Sequence, residues 1–177
     1  MADKSVEVLD DISGHDLHDL CDAAESAIIE GGGFGWVSVP PRQTLETYWR
    51  GVLLVPERTL FVGRLDGVIA GSAQLIRPTK NNEAQSHAAS LTTNFVAPWA
   101  RGHGIGYDLI RAVEDQVRVD GFAVLNLDVR ATQEIAIARY DSLGFVRWAE
   151  NPHYARVGDE WVTGYYYYKV LNEEDCC

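Results

Sequence analysis

The sequence lacks the features on which several large classes of protein depend. Its 177 residues include only three cysteines, Cys21, Cys176 and Cys177, which form neither a disulfide framework nor a metal-binding cluster. No apolar stretch approaches the ~18 residues that span a membrane, and the N-terminus lacks the pattern of a signal peptide. We therefore expect a cytoplasmic protein with no bound metal and no membrane partner.

An excess of positive charge is also absent. The formal net charge is −11, and the acidic ends account for it. Residues 1–30 carry nine acidic residues and one basic residue, residues 173–175 carry three acidic ones, and residues 31–170 are balanced. Because nucleic-acid binding needs a basic face, we expect no nucleic-acid partner. The acidic segment is compatible with an amine substrate, although a solvated acidic helix explains it more simply.

A glycine-rich stretch, Arg101–Gly106, lacks both common nucleotide-binding spacings. The third glycine of a dinucleotide fingerprint would fall on Tyr107, and no Gly-Lys pair followed by Ser or Thr occurs in the chain. The stretch lies between a predicted strand over residues 91–96 and a predicted helix. The apolar residues of that helix recur at helical spacing: Ile105, Leu109, Val113 and Val117. Glycine N–H groups beside a helix N-terminus favour a phosphate site, and a turn without a ligand is the alternative.

The remaining pattern predicts one α/β domain over residues 1–177. Predicted strands cover Val6–Leu9, Thr59–Leu65, Val68–Leu75, Ser86–Val96, Val124–Val129, Phe145–Trp148 and Trp161–Leu171, and predicted helices follow Ser13, run from Thr44 to Leu53, start at Ile105 and run from Gln133 to Ser142. This order predicts a mixed central sheet of about seven strands with about four helices, and flexible ends at residues 1–12 and 172–177. The Gly31–Gly33 run, which Phe34 and Trp36 follow, is either a mobile flap over a pocket or an ordinary connector.

Two motifs in this order resemble those of one family. The Arg-x-x-Gly-x-Gly pattern of Arg101–Gly106 and the Ala-x-x-x-Tyr-x-x-x-Gly-Phe pattern of Ala136–Phe145 are similar to motifs of the GNAT superfamily of N-acetyltransferases. Asn151–Ala155 and Tyr167–Leu171 resemble the Pro-x-Tyr-Ala turn and the closing strand of tabtoxin-resistance-type acetyltransferases. The resemblance implies a GNAT-like single domain, with its sheet splayed at an acetyl-CoA site and acetyl-CoA as co-substrate.

The resemblance also implies which residues contact the co-substrate. In this family the strand before the loop pairs with pantetheine, which implies backbone contacts at Phe95 and Val96 and an N–H group facing the thioester oxygen. The loop implies diphosphate contacts from Arg101, Gly102, His103, Gly104, Ile105 and Gly106, with His103 alternatively pointing at solvent. Gln133 stands where the family often has a cofactor-binding Asn, and Arg139 lies either at the phosphoadenosine end or on the surface.

The acid–base catalysts comprise one candidate for the general acid and several for the general base. The family's motif implies that Tyr140 is the general acid that protonates the departing thiolate, and a core aromatic is the alternative. For the general base we consider Asp128, near the end of its strand, and His87, because histidine titrates near neutral pH. The related enzymes often carry Glu where this chain has Ser90, so a water chain to Asp128 or to backbone carbonyls is a further alternative.

These inferences predict an enzyme that moves an acetyl group from acetyl-CoA to a primary amine of a small molecule. We expect the amine to attack the thioester directly in a ternary complex. An acetyl-cysteine intermediate has no support, because the cysteines lie outside the matched motifs. Trp36 and Tyr154 are candidates for lining the acceptor pocket, and the tyrosines of residues 165–168 allow a homodimer contact through the last strand. The alternatives are a CoA-binding regulatory module without turnover, a protein or peptide N-acetyltransferase, and a structural domain without a cofactor.

Overall fold

The computed structural model describes residues 2–32 and 34–172. Gly33, Cys176, Cys177 and the rest of the segment 173–177 lie outside the described residues. The strands are β1 (Lys4–Val8), β2 (Arg58–Leu65), β3 (Val68–Ile76), β4 (Ala88–Val96), β5 (Val124–Arg130), β6 (Val146–Val157) and β7 (Glu160–Val170), and the helices are α1 (Gly14–Ile29), α2 (Arg42–Val52), α3 (Ile105–Val119) and α4 (Glu134–Ser142). The predicted α/β class, with a seven-stranded mixed sheet and four helices, is confirmed.

The contacts of the chain fall into two compact units. The first comprises residues 1–77 and 91–115, and the second comprises residues 78–90 and 116–177. Strand β4 therefore contributes its first three residues to the second unit and its last six to the first. The single domain over residues 1–177 stays a prediction.

In the first unit, α1 and α2 cover a sheet in the order β1-β2-β3-β4. Residues 4–8, which lie in the segment predicted as a flexible end, form β1 and pair with β2. Helix α1 starts where its predicted cap lies, because Ser13 Oγ accepts a hydrogen bond from the Asp16 N–H at 3.3 Å. The apolar face of α1 is buried with residues of α2, β2 and β3, including Leu20, Trp49, Val62 and Ile69.

In the second unit, the first residues of β5 pair in parallel with Ala88–Ser90, and β5 then pairs with β7 and β7 with β6 in antiparallel fashion. The predicted strand Phe145–Trp148 was wrong in its extent, because β6 continues to Val157. Its ladder with β7 shifts between Asn151 and Ala155, so the Pro-x-Tyr-Ala segment is a bulge inside a strand rather than a turn. A bulge tolerates proline because it needs no ladder donor there.

Among the residues that the structure describes, no helix combines the length and apolar character needed to cross a membrane.

Candidate functional site

The loop before α3 in the first unit offers a row of backbone donors. Gly102 and Gly104 have φ values of +81° and +80°, a conformation that favours glycine. Within the described chain, no backbone carbonyl accepts a hydrogen bond from the N–H groups of residues 102–106. Unsatisfied N–H groups at a helix start carry partial positive charge, so this loop fits a phosphate group. The phosphate seat predicted from the glycine spacing fits this geometry and stays a prediction.

Arg101 and His103, the polar side chains at this loop, both have partners in the first unit. The Arg101 guanidinium donates to the carboxylate of Glu30, the residue that follows α1. His103 Nδ1 lies 3.2 Å from the Ala100 carbonyl oxygen and 3.1 Å from that of Arg101. Since both neighbours are acceptors, Nδ1 carries the hydrogen. An anion at the loop would therefore compete with Glu30 for Arg101.

The end of β4 is buried and held close to β3. Phe95 and Val96 are 4% and 7% exposed, and the Ala97 N–H donates to the Ala70 carbonyl oxygen at 2.7 Å. Earlier in the same strand, Thr93 has a φ of +52°, which is uncommon for a residue with a side chain. The backbone direction of β4 therefore changes just before the residues predicted to contact a cofactor.

Trp36 belongs to an aromatic cluster in the first unit. Its ring lies 5.5 Å from Phe34 and 5.0 Å from Tyr48, both edge-on, and Phe34 stacks on Phe95 at 4.8 Å. Trp36 is half-buried, so one side of the cluster reaches solvent. Tyr48 was not predicted as a site residue, because a tyrosine on the face of an amphipathic helix has no signature that separates it from packing residues.

Tyr140 is buried in the second unit, with 4% of its surface exposed. Its ring contacts Phe145 at 5.7 Å and Tyr167 at 6.0 Å between centroids. Tyr167 is opposite Leu127 in the ladder of β5 with β7, so Tyr140 packs on the Leu127 face of that sheet. This packing fixes the ring and is compatible with both roles considered for Tyr140.

Asp128, predicted as a general base, and Tyr154, predicted to line the acceptor pocket, meet on the other face of the β5–β7 sheet. The Tyr154 hydroxyl donates to Asp128 Oδ2. Burial, and then the hydrogen bond to Asp128, raise the pKa of Tyr154 above its usual value, so the hydroxyl stays protonated at neutral pH. Tyr166, which is opposite Asp128, packs edge-on against Tyr154 at 6.1 Å.

The bulge of β6 and a glycine of β7 make this contact possible. Asn151 is opposite Gly164 and Ala155 opposite Val162, so β6 carries two more residues than β7 over this stretch. The Tyr154 ring consequently lies over Gly164, where an added Cβ atom would collide with it. From there it crosses β7 to reach β5. Gly164 is a site residue that the sequence analysis missed, since an isolated glycine in a strand carries no motif.

The other predicted residues of the second unit are His87, Gln133 and Arg139. His87 is exposed, and its carbonyl accepts from the N–H groups of Ala123 and Val124 at the start of β5. Asp128 lies four residues after Val124 on β5, which is about 13 Å from Val124 at the rise of a strand. Gln133 precedes α4, and Arg139 precedes Tyr140 on that helix. The structure therefore does not bring His87 together with Asp128.

Cys21 is the one cysteine among the described residues, and it is fully buried. Burial raises the pKa of its thiol to about 11. It is therefore a protonated core residue at neutral pH and not a nucleophile.

Comparisons with known proteins bear on this arrangement. The model of the acetyltransferase (GNAT) family matches residues 22–145. The chain is 65% identical, over 133 residues that cover 75% of it and 79% of the relative, to an uncharacterized N-acetyltransferase in the hisH-hisA intergenic region of Azospirillum brasilense. In fold it is similar to yncA from Salmonella typhimurium with its cofactor acetyl-CoA, with a TM-score of 0.76, 17% identity and coverage of 98% and 99% of the two chains. It is also similar to a ribosomal-protein-alanine N-acetyltransferase from Brucella melitensis, with a TM-score of 0.76, 21% identity and coverage of 94% and 99%.

Proposed function

The chain belongs to the acetyltransferase (GNAT) family as an N-acetyltransferase with acetyl-CoA as co-substrate, and we propose that its acceptor is the primary amine of a small molecule. Acetyl-CoA supplies an activated acyl group on a thioester. The residues of this chain have to bind its phosphates, receive a proton from the acceptor ammonium and return one to the departing thiolate.

The N–H groups of residues 102–106 are proposed to hold the diphosphate, with Arg101 turning from Glu30 to join them. Phe95 and Val96 are proposed to present backbone groups to the pantetheine arm. The support for the first assignment is the row of N–H groups without a backbone acceptor in the described structure. A diphosphate supplies the negative charge that such a row favours.

Asp128 is proposed as the general base and Tyr140 as the general acid. Asp128 is exposed, and it accepts one hydrogen bond from Tyr154 at Oδ2, which leaves Oδ1 for the acceptor ammonium. The Asp128 carboxylate and the Tyr140 ring lie on opposite faces of the β5–β7 sheet, so each assignment is tested by its own substitution. The Asp128–Tyr154 pair is the observation that carries the proposal of an amine acceptor, because a single carboxylate held in place complements one ammonium group.

Thermal unfolding with acetyl-CoA, followed by thiol release with a panel of amines, tests this function. The panel contains free amino acids, small alkyl and aryl amines, and peptides with either a free N-terminus or a lysine. We expect millimolar acetyl-CoA to raise the melting temperature by mass action, and small amines to release thiol. Release with peptides alone would identify a peptide acetyltransferase. Stabilisation without release would identify a regulatory module, and no stabilisation would overturn the phosphate site.

A further inference from the structure

A chain of four polar side chains leads from the surface of the first unit to the irregular point of β4. Arg58 donates to Gln74 Oε1 at 2.7 Å, and Gln74 Nε2 donates to the Tyr48 hydroxyl oxygen at 3.0 Å. The Tyr48 hydroxyl lies 3.4 Å from Thr93 Oγ1. Gln74 is fully buried, so its amide has no solvent to replace these partners.

The direction of these hydrogen bonds is set at the Arg58 end. A guanidinium group can only donate, so the Gln74 oxygen must face it and the Gln74 NH₂ group must face Tyr48. The Tyr48 oxygen accepts from Gln74, and its own hydrogen is then available for Thr93 Oγ1. Gln74, which cannot turn over, thus commits the Tyr48 oxygen to accepting and leaves the hydroxyl hydrogen for Thr93 Oγ1.

Thr93 is the residue that needs this support. It is β-branched and has a φ of +52°, a conformation that costs free energy and persists only where the surroundings impose it. Its side chain is held by Tyr48, and its carbonyl oxygen accepts from Ser72 Oγ at 3.3 Å. Thr93, two positions before Phe95, is therefore held at its side-chain hydroxyl and at its backbone carbonyl.

We propose that Tyr48 is a positioning residue for acetyl transfer, which acts by holding Thr93 in its left-handed conformation. The proposal rests on the proposed function. In it, the conformation of Thr93 aims the backbone N–H of Phe95 or Val96 at the thioester oxygen of acetyl-CoA. Tyr48 touches neither the thioester nor the amine in this role. Its hydroxyl contributes through the backbone of β4.

Tyr48→Phe removes only the hydroxyl and tests the proposal. We expect kcat to fall about tenfold, the effect of losing one useful hydrogen bond, while the KM for the amine stays within twofold. Tyr165→Phe is the matched control, because Tyr165 lies on β7 in the second unit. Equal kcat values for Tyr48→Phe and wild type would overturn the proposal.

A second substitution separates positioning from general damage. Glycine adopts a positive φ without the cost that threonine bears, so Thr93→Gly should need no clamp. Added to Tyr48→Phe, it should restore most of the lost kcat even if it does not restore the melting temperature. A double variant no faster than Tyr48→Phe would show that the hydroxyl acts in some other way than through the conformation of Thr93.

A binding measurement keeps this test independent of turnover. Coenzyme A lacks the thioester carbonyl oxygen of the acetyl group, so an N–H group aimed at that oxygen makes wild type bind acetyl-CoA more tightly than coenzyme A. We expect Tyr48→Phe to reduce the ratio of the dissociation constant of coenzyme A to that of acetyl-CoA about tenfold. Suppose that wild type releases no thiol with any amine, but still prefers acetyl-CoA to coenzyme A and loses that preference in Tyr48→Phe. That result would refute the proposed function alone. Equal affinities of wild type for the two ligands would refute the positioning role.

Discussion

The two units offer different kinds of chemical groups for the acetyl transfer proposed above. The first offers mainly backbone groups: the N–H row of residues 102–106 and the end of β4 after Thr93. The second offers side chains, Tyr140 on one face of its sheet and the Asp128–Tyr154 pair on the other. Backbone groups are insensitive to most substitutions and to pH, whereas side chains are sensitive to both. We therefore expect substitutions in the phosphate loop of the first unit to change affinity for acetyl-CoA, and substitutions of Asp128 or Tyr140 in the second to change turnover.

The largest expected effect is that of Asp128→Asn, which keeps the shape and removes the base. We expect kcat/KM for the amine to fall about a thousandfold at neutral pH, within the range for loss of an acid–base catalyst. The deficit should shrink as the pH approaches the pKa of the amine, because solution then supplies the unprotonated acceptor. Rates measured from pH 7 to 10 check this. If His87→Asn instead produced the larger loss, the base would lie at the other end of β5.

Tyr140→Phe is expected to lower turnover about a hundredfold at neutral pH, because the thiolate then leaves without a proton donor. Acetyl-CoA should still raise the melting temperature as in wild type, since Phe preserves the packing against Phe145 and Tyr167. Tyr168→Phe is the matched control from the same unit. Unchanged turnover of Tyr140→Phe would make Tyr140 a core aromatic and remove it from the chemistry.

Gly104→Ala tests the backbone side of the comparison. Alanine at a φ of +80° costs roughly 1–2 kcal/mol, and its Cβ would lie 3.1 Å from Lys4 Nζ. We expect the KM for acetyl-CoA to rise about tenfold with a smaller change in kcat. Gly158→Ala places the same strain at a φ of +61° with open space around it, so it reports the general cost. Equal KM values for the two variants would refute the phosphate role of the loop.

Glu30→Gln is expected to have a smaller and opposite effect. It removes the charge that holds Arg101, so the guanidinium should join an incoming diphosphate more readily. Affinity for acetyl-CoA should rise about threefold at low salt, and the gain should shrink in 0.5 M salt because both groups are partly exposed. Glu46→Gln, whose partners are Arg42 and Arg50, is the control. A loss of affinity would mean that the Glu30–Arg101 pair supports the loop.

The order of the elements was predictable because it depends on local patterns. Apolar spacing gave the helices, Ser13 with Asp16 gave the start of α1, and Asp66-Gly67 gave the β2–β3 hairpin. The glycine spacing before α3 likewise indicated a loop with exposed N–H groups, because N–H exposure at a helix start is also a local property. The phosphate role of that loop stays a prediction.

The contacts between distant residues were not predictable from these patterns. Tyr154 reaches Asp128 only because β6 has two extra residues opposite a short segment of β7 and because position 164 has no side chain. Glu30 and Arg101 are 71 residues apart, and Tyr48 and Thr93 are 45 apart. Each pair depends on which strand lies beside which helix, and neither residue carries a spacing that names its partner.

The smallest expected effect concerns stability and pH at Tyr154. Its pKa is raised in the native state, so above the usual tyrosine pKa of ~10 the unfolded chain loses this proton while the native protein retains it. The stabilisation from this group is thus complete below that pH and is lost as the pH rises toward the raised native value. Tyr154→Phe should therefore show a shallower decline in unfolding free energy from pH 8 to 10.5 than wild type, by at most one proton's worth of slope. Denaturant unfolding at each pH measures it, with Tyr165→Phe as the comparison. Parallel curves for Tyr154→Phe and wild type would mean that the hydroxyl does not donate to Asp128 in solution, and Asp128 would then have to act without a fixed orientation.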